Sequence, residues 1–201
     1  SKLKYLGQPI TITGYNFARP VLKLFNNIKF PDRTLRLAGT ARFKVLSLFA
    51  SDIDLFQLLS KKDIPQFATH ISNLAKKMAP SKQANHATFV EFKSGGKHYT
   101  REQMANLSTN QKLKQEIEHN IQRDPFNKVD LIFYDGKTYE EITIVYQFEE
   151  LADVAIILQS LVKDANKYIR SGNLYKATKR LHNISRLQGK QPNSPGLKSL
   201  E

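Results

Sequence analysis

The sequence predicts an α+β protein: a short mixed or antiparallel sheet with helices packed on it, followed by a C-terminal helical hairpin. Three observations carry this expectation. Apolar and polar residues alternate over several short segments, which is the period of a strand. Longer segments lie between them, with apolar residues recurring every three or four positions, as on one face of a helix. After Glu149 the alternation stops and only the helical period continues.

Taken in order, residues 18–28 suit an amphipathic helix through Val21, Leu22, Leu24, Phe25 and Ile28, closed by Pro31. "RTLRLAG" sets Leu35 and Leu37 between arginines and reads as a strand. "TARFKVLSLFA" fits a short helix and "DIDLFQLL" a second strand. Residues 63–79 carry Ile64, Phe67, Ile71, Leu74 and Met78 at helical spacing, with Pro80 beyond. "HATFVEFKSGGKHY" has strand composition broken by a Gly-Gly turn, and residues 101–122 are expected to form one polar helix. "VDLIFY" and "EITIVYQF" flank "DGKTYE", where Asp-Gly is a strong hairpin signal.

The expected organisation is a core over residues 1–150 that includes the N-terminal helix, a basic helical segment over 151–188, and a flexible tail or linker over 189–201. In the helical segment, "ELADVAIILQSLVKDANKYIR" and "NLYKATKRLHNISRL" read as two helices around a Ser-Gly-Asn turn. Between residues 160 and 190, eight Lys or Arg stand against one acid, Asp164. Lys167, Arg170, Lys176, Lys179 and Arg180 are its candidate nucleic-acid contacts, and Tyr168 and Tyr175 are interleaved with them.

Composition narrows the chemistry. With no cysteine, disulfides, thiolate zinc sites and thiol nucleophiles are excluded. The five histidines are scattered without metal-ligand spacing, so any metal chemistry must use carboxylates. No apolar run approaches the roughly 18 residues of a membrane span, and a soluble, cytoplasmic protein is expected, with the nucleus as the other compartment. A formal charge of +13 suits a polyanionic partner, whose phosphates attract Lys and Arg over long range.

The candidate chemistry lies in "GTARFKVLSLFASDIDLF", residues 39–56. Strand alternation puts Asp52 and Asp54 on one face while Ile53 and Leu55 take the other. Two like charges one strand period apart destabilise each other unless a cation sits between them, and magnesium suits such hard oxygen ligands. Gly39 and Thr40 fall between a strand and an expected helix, where backbone N–H groups and a hydroxyl can meet an anion.

These residues resemble the nucleotidyltransferase superfamily of DNA polymerase β, which includes poly(A) polymerases and CCA-adding enzymes. The family signature is Gly followed by Gly or Ser, a gap of roughly nine to thirteen residues, and then acid, apolar residue, acid. Gly39-Thr40, eleven residues and Asp52-Ile53-Asp54 are similar to it, with Thr40 in place of the usual serine. "KVDLIFYDG" supplies the third carboxylate, Asp130, in an apolar strand. The resemblance spans about residues 33–135 through these motifs alone.

It implies a nucleotidyltransferase-like fold and a two-metal site. Asp52, Asp54 and Asp130 would be catalytic and bind Mg2+ or Mn2+, and Gly39 and Thr40 would hold a nucleoside triphosphate. The implied reaction transfers a nucleoside monophosphate from an NTP to an acceptor hydroxyl. The charge favours a nucleic-acid 3′ end, RNA before DNA. Template-independent addition, as by a poly(A) polymerase, is the preferred subtype, because 201 residues leave little room for domains that grip a template duplex.

Two other classes remain open. One is a non-catalytic module of the same fold that binds nucleic acid or a partner subunit; under any of the readings the expected partners include another subunit or a further C-terminal domain. The other is a metal-dependent nuclease using Glu91 and Lys93 of "FVEFKSGG", an acid-x-lysine pair on a strand with an aspartate upstream; its bland counterpart is an exposed alternating strand face. Lys93 could instead approach a nucleotide phosphate.

Overall fold

The computed structural model describes residues 19–38, 52–123, 127–149 and 154–188, with the Asp52 side chain excepted. Six strands form one sheet: β1 (Leu35–Ala38), β2 (Asp52–Leu59), β3 (His86–Ser94), β4 (Lys97–Thr100), β5 (Asn127–Tyr134) and β6 (Tyr139–Phe148). The helices are α1 (Arg19–Ile28), α2 (Ile64–Lys77), α3 (Arg101–Ala105), α4 (Gln111–Arg123), α5 (Val154–Arg170) and α6 (Leu174–Gln188). The expected α+β class and the C-terminal helical hairpin are present. The expected short helix in "TARFKVLSLFA" and the tail over 189–201 lie outside the described residues. None of the described helices is long and apolar enough to cross a membrane.

The described residues fall into two compact units, 19–149 and 154–188. In the first, the strand order is β1-β2-β6-β5-β3-β4. All neighbours are antiparallel except β2 and β6, which run parallel, so the sheet is mixed.

One face of the sheet is apolar and carries the core. It takes Ile53 and Leu55 from β2, Ile142 and Ile144 from β6, and Val129 and Leu131 from β5. Against it α1 buries Val21, Leu24, Phe25 and Ile28, the i, i+3, i+4, i+7 stripe that its sequence carries. From α2, Phe67 meets Tyr146, Phe148 and Phe92 edge-on at 4.9, 5.3 and 6.0 Å between ring centres. Gln57 is fully buried on the same face and accepts from the Phe30 N–H at 2.8 Å, which ties the loop after α1 to β2.

The turns follow their local chemistry. Gly95 and Gly96 join β3 to β4 with φ of 59° and 77°, the doubly positive pair of a tight hairpin. A Cβ on Gly95 would lie 2.8 Å from Asn120 of α4, so glycine also admits the close approach of that helix. Between β5 and β6, Asp135 Oδ1 accepts from the Lys137 and Thr138 N–H groups while Gly136 turns the chain at φ 110°.

The single polar helix expected over residues 101–122 is instead two helices, α3 and α4, separated by a 3-10 turn at Leu107–Thr109. The cause lies in "NLSTN". Asn110 Oδ1 accepts from the Leu113 N–H at the start of α4, and Asn106 ends α3. Leu107 is buried at the break and holds the connection against the core.

His70 joins α2 to the end of α1. Its Nε2 lies 3.1 Å from the Ile28 carbonyl oxygen, and the ring stands edge-on to Phe30 at 5.2 Å. Burial pushes its pKa down to about 4, against the opposing effect of the hydrogen bond to Ile28. A folded-state value below the unfolded one stabilises fully above pH 6.5 and is lost as pH falls towards 4. Urea unfolding should therefore show the wild type losing up to about 3 kcal/mol more than His70→Gln between pH 7 and pH 4. Parallel pH profiles for the two proteins would contradict this.

Candidate active site

The face of the sheet opposite the core carries the candidate chemistry, and strand register decides which residues share it. Asp54 pairs with Thr143 across the parallel β2–β6 ladder, and Thr143 pairs with Asp130 across the antiparallel β6–β5 ladder. Cross-strand partners project to one side. Asp54, Thr143 and Asp130 thus form a row, with the buried pairs Ile53/Leu55, Ile142/Ile144 and Val129/Leu131 on the other side. At about 4.8 Å per strand, the Asp54 and Asp130 backbones stand about 10 Å apart. Carboxylates extending from that distance can converge on one pair of ions, which in two-metal sites lie about 3.5–4 Å apart.

The row continues through β3 because of a bulge. The β3–β5 register shifts between Phe89 and Glu91, leaving Val90 as the extra, exposed residue. Before the bulge Ala87 and Phe89 are buried; after it the buried residues are Phe92 and Ser94. Uninterrupted alternation would send Glu91 and Lys93 to the core side with Phe89. The bulge brings them to the open face, with Glu91 opposite Asp130.

The side chains then connect. Lys93 Nζ lies 3.1 Å from Asp130 Oδ2 and 3.4 Å from Glu91 Oε1. Thr143 Oγ1 donates to Asp130 Oδ1 at 3.0 Å, and His98 Nδ1 on β4 lies 3.1 Å from Glu91 Oε2. Both Asp130 oxygens are therefore engaged and the carboxylate is oriented. Burial pulls the Lys93 ammonium pKa down, but its contacts with Asp130 and Glu91 outweigh that and hold it above the usual lysine value. Lys93 is thus a fixed positive charge at neutral pH.

The other expected site residues are placed as follows. The Asp52 backbone pairs with Glu141 at the start of β2. Its side chain, with Gly39 and Thr40, lies outside the described residues. Ala38, which precedes Gly39 in the chain, pairs with Asp54. Hard oxygen donors on one open face suit magnesium. Among the described residues no group of three or more His, Asp or Glu stands ready to hold an ion, and Asp130 faces the Lys93 ammonium.

In the second unit, α5 and α6 pack as an antiparallel pair turned at Gly172, φ 77°. Lys167, Arg170, Lys176 and Lys179 are exposed, and Arg180 is half-buried with its Nε 3.7 Å from Asp164. Tyr168 lies beneath Lys176 and Arg180, at 5.4 and 5.7 Å, so it packs inside the hairpin. Tyr175 is 71% exposed, with Lys179 4.7 Å from its ring centre.

Sequence reasoning does not find Thr143 as a partner of Asp130, and it links Glu91 and Lys93 to an upstream aspartate or a nucleotide phosphate and not to Asp130. Alternation in "EITIVYQF" already turns Thr143 away from Ile142 and Ile144, but its pairing is non-local. For Glu91 the signal is the spacing of three positions, instead of the two of strand alternation, from Phe89 to Phe92. Comparison of the chain with protein-family models, curated proteins and solved structures finds no match.

A double-mutant cycle with Lys93→Met and Asp130→Asn, read by urea unfolding, should give a coupling of about 0.5–1 kcal/mol at low salt, the size expected for a partly exposed pair. The coupling should shrink in molar salt. A coupling near zero at low salt would remove Lys93 from this network.

Proposed function

We propose that this protein is a magnesium-dependent nucleotidyltransferase that adds a nucleoside monophosphate from an NTP to a nucleic-acid 3′ end, RNA before DNA, without a template. The observation that carries this reading is the register that sets Asp54 and Asp130, 76 residues apart in sequence, in one row on the open face of the sheet. The formal charge of +13 and the exposed cations of the α5–α6 hairpin support a polyanionic partner.

Asp54 and Asp130, with Asp52, would hold the divalent ions; bound magnesium neutralises triphosphate charge and makes the acceptor hydroxyl more acidic. The 3′ oxygen forms a bond to the α-phosphorus, the bond from that phosphorus to the bridging oxygen breaks, and pyrophosphate leaves. Asp130, held by Thr143 and Lys93, would orient the attacking hydroxyl, whose proton leaves to solvent water. Lys93 adds a positive charge beside the phosphorus as negative charge develops there. Gly39 and Thr40, which follow the residue paired with Asp54, would take the triphosphate.

A second reading has its own support. Glu91 and Lys93 lie within 3.4 Å of each other beside Asp130, which is also the acid, acid and lysine set of a metal-dependent nuclease. That reading gives no part to Asp54 or to the Gly39-Thr40 turn.

One assay separates them. With magnesium, each NTP in turn and a labelled RNA or DNA primer, the wild type should lengthen the primer. Asp54→Ala and Asp130→Ala should each reduce extension by at least about a thousandfold, the scale of losing a principal charge-stabilising group. Degradation of the strand without NTP, lost in Glu91→Ala and kept in Asp54→Ala, would select the nuclease. Neither product would leave a non-catalytic nucleic-acid or partner-binding module.

A further inference from the structure

On the open face the β5–β6 hairpin ends in two tyrosines that the proposed chemistry does not use. Tyr134 and Tyr139 are register partners, four residues along from Asp130 and Thr143 on their strands, and even spacing keeps all four on one face. Their rings stack with centres 4.6 Å apart and planes at 25°. Tyr134 is anchored where its hydroxyl donates to the Gly136 carbonyl at 2.8 Å. Tyr139 remains 71% exposed although Tyr134 covers one side of it, so the other side of the ring faces solvent. Lys137, in the adjoining turn, is exposed as well.

A large aromatic ring held flat, backed by a second ring and open to solvent makes no contribution to the core. Stacking a planar ligand is what this arrangement favours, since every base offers a π-face whatever its identity. Four residues of strand place the pair about 13 Å from the Asp130 row. That is the rise of about four stacked nucleotides at 3.4 Å each. A strand whose 3′ hydroxyl lies at Asp130 and which runs along this face therefore brings a base a few positions upstream to Tyr139.

We propose that the Tyr134–Tyr139 stack is a base-binding platform for the unpaired acceptor strand, engaging a nucleotide upstream of the 3′ end, with Lys137 close enough in the turn to meet its phosphate. This rests on the nucleotidyltransferase reading for its direction along the face, but the binding itself needs neither magnesium nor NTP. The platform selects single strands over duplexes, because only an unpaired base can leave its neighbours to cover the ring.

The test is fluorescence anisotropy of 5′-labelled oligoadenylates, two and eight nucleotides long, in EDTA. Tyr139→Ala should weaken binding of the eight-mer about tenfold, within the range found for loss of one stacked base. Tyr139→Phe should bind as the wild type does, and the two-mer should not distinguish the three proteins. Circular dichroism melts of the variants should coincide with the wild type, because the ring is at an exposed turn. Equal eight-mer binding by wild type and Tyr139→Ala, or equal weakening in Tyr139→Phe, would overturn the platform. Absence of primer extension with magnesium and NTP would instead count against the catalytic reading, and tyrosine-dependent binding in EDTA would stand apart from it.

Discussion

The arrangement depends on the register that joins β2, β6 and β5. Around the row each of these strands alternates core and open-face residues, and the buried pairs Ile53/Leu55, Ile142/Ile144 and Val129/Leu131 hold that parity, while further along Phe56 and Gln147 on the same face as the row are buried. A slip of one residue in any strand would turn its apolar side chains to the open face. In β5 it would also drive Asp130 into the aromatic core around Phe67, where an unpaired charge is strongly disfavoured. The hydrophobic effect and the cost of charge burial therefore select the same pairing. The row of Asp54, Thr143 and Asp130 follows from the way the core closes.

Much of this was legible in local sequence. Period and turn chemistry act within a few residues, and β2, the Gly-Gly and Asp-Gly hairpins, α1 and the α5–α6 hairpin all follow from them. Less legible was anything that depended on competition between local preferences. The Asn-rich "NLSTN" interrupts a helical period that looked continuous, because its side chains cap and bend the backbone in preference to extending it. The bulge at Val90 is similar: the gap between Phe89 and Phe92 is visible in sequence, but it has meaning only once β3 is paired with β5.

The site was legible in part for the same reason. Asp52, Asp54 and Asp130 stand out as acids in apolar strands, a local anomaly that a single chain reveals. Thr143 is unremarkable in "EITIVYQF" and becomes a partner of Asp130 only through a ladder between strands. Lys93 reads in sequence as part of a nuclease pair or as a phosphate contact, and only the bulge reveals that it lies 3.1 Å from Asp130. Its ammonium gives the carboxylate row an internal counter-charge, which is one way a sheet can tolerate clustered acids without a bound ion. Such an ion at Asp130 would share that carboxylate with Lys93 or displace it.

The central claim is that Asp54 and Asp130 act as one metal site. Titration with Mn2+, followed by electron paramagnetic resonance of the free ion, tests it without reference to any substrate. The account predicts that the wild type takes up Mn2+ and that Asp54→Asn and Asp130→Asn each lose most of that uptake. Uptake unchanged in both variants, with folding intact by circular dichroism, would contradict it.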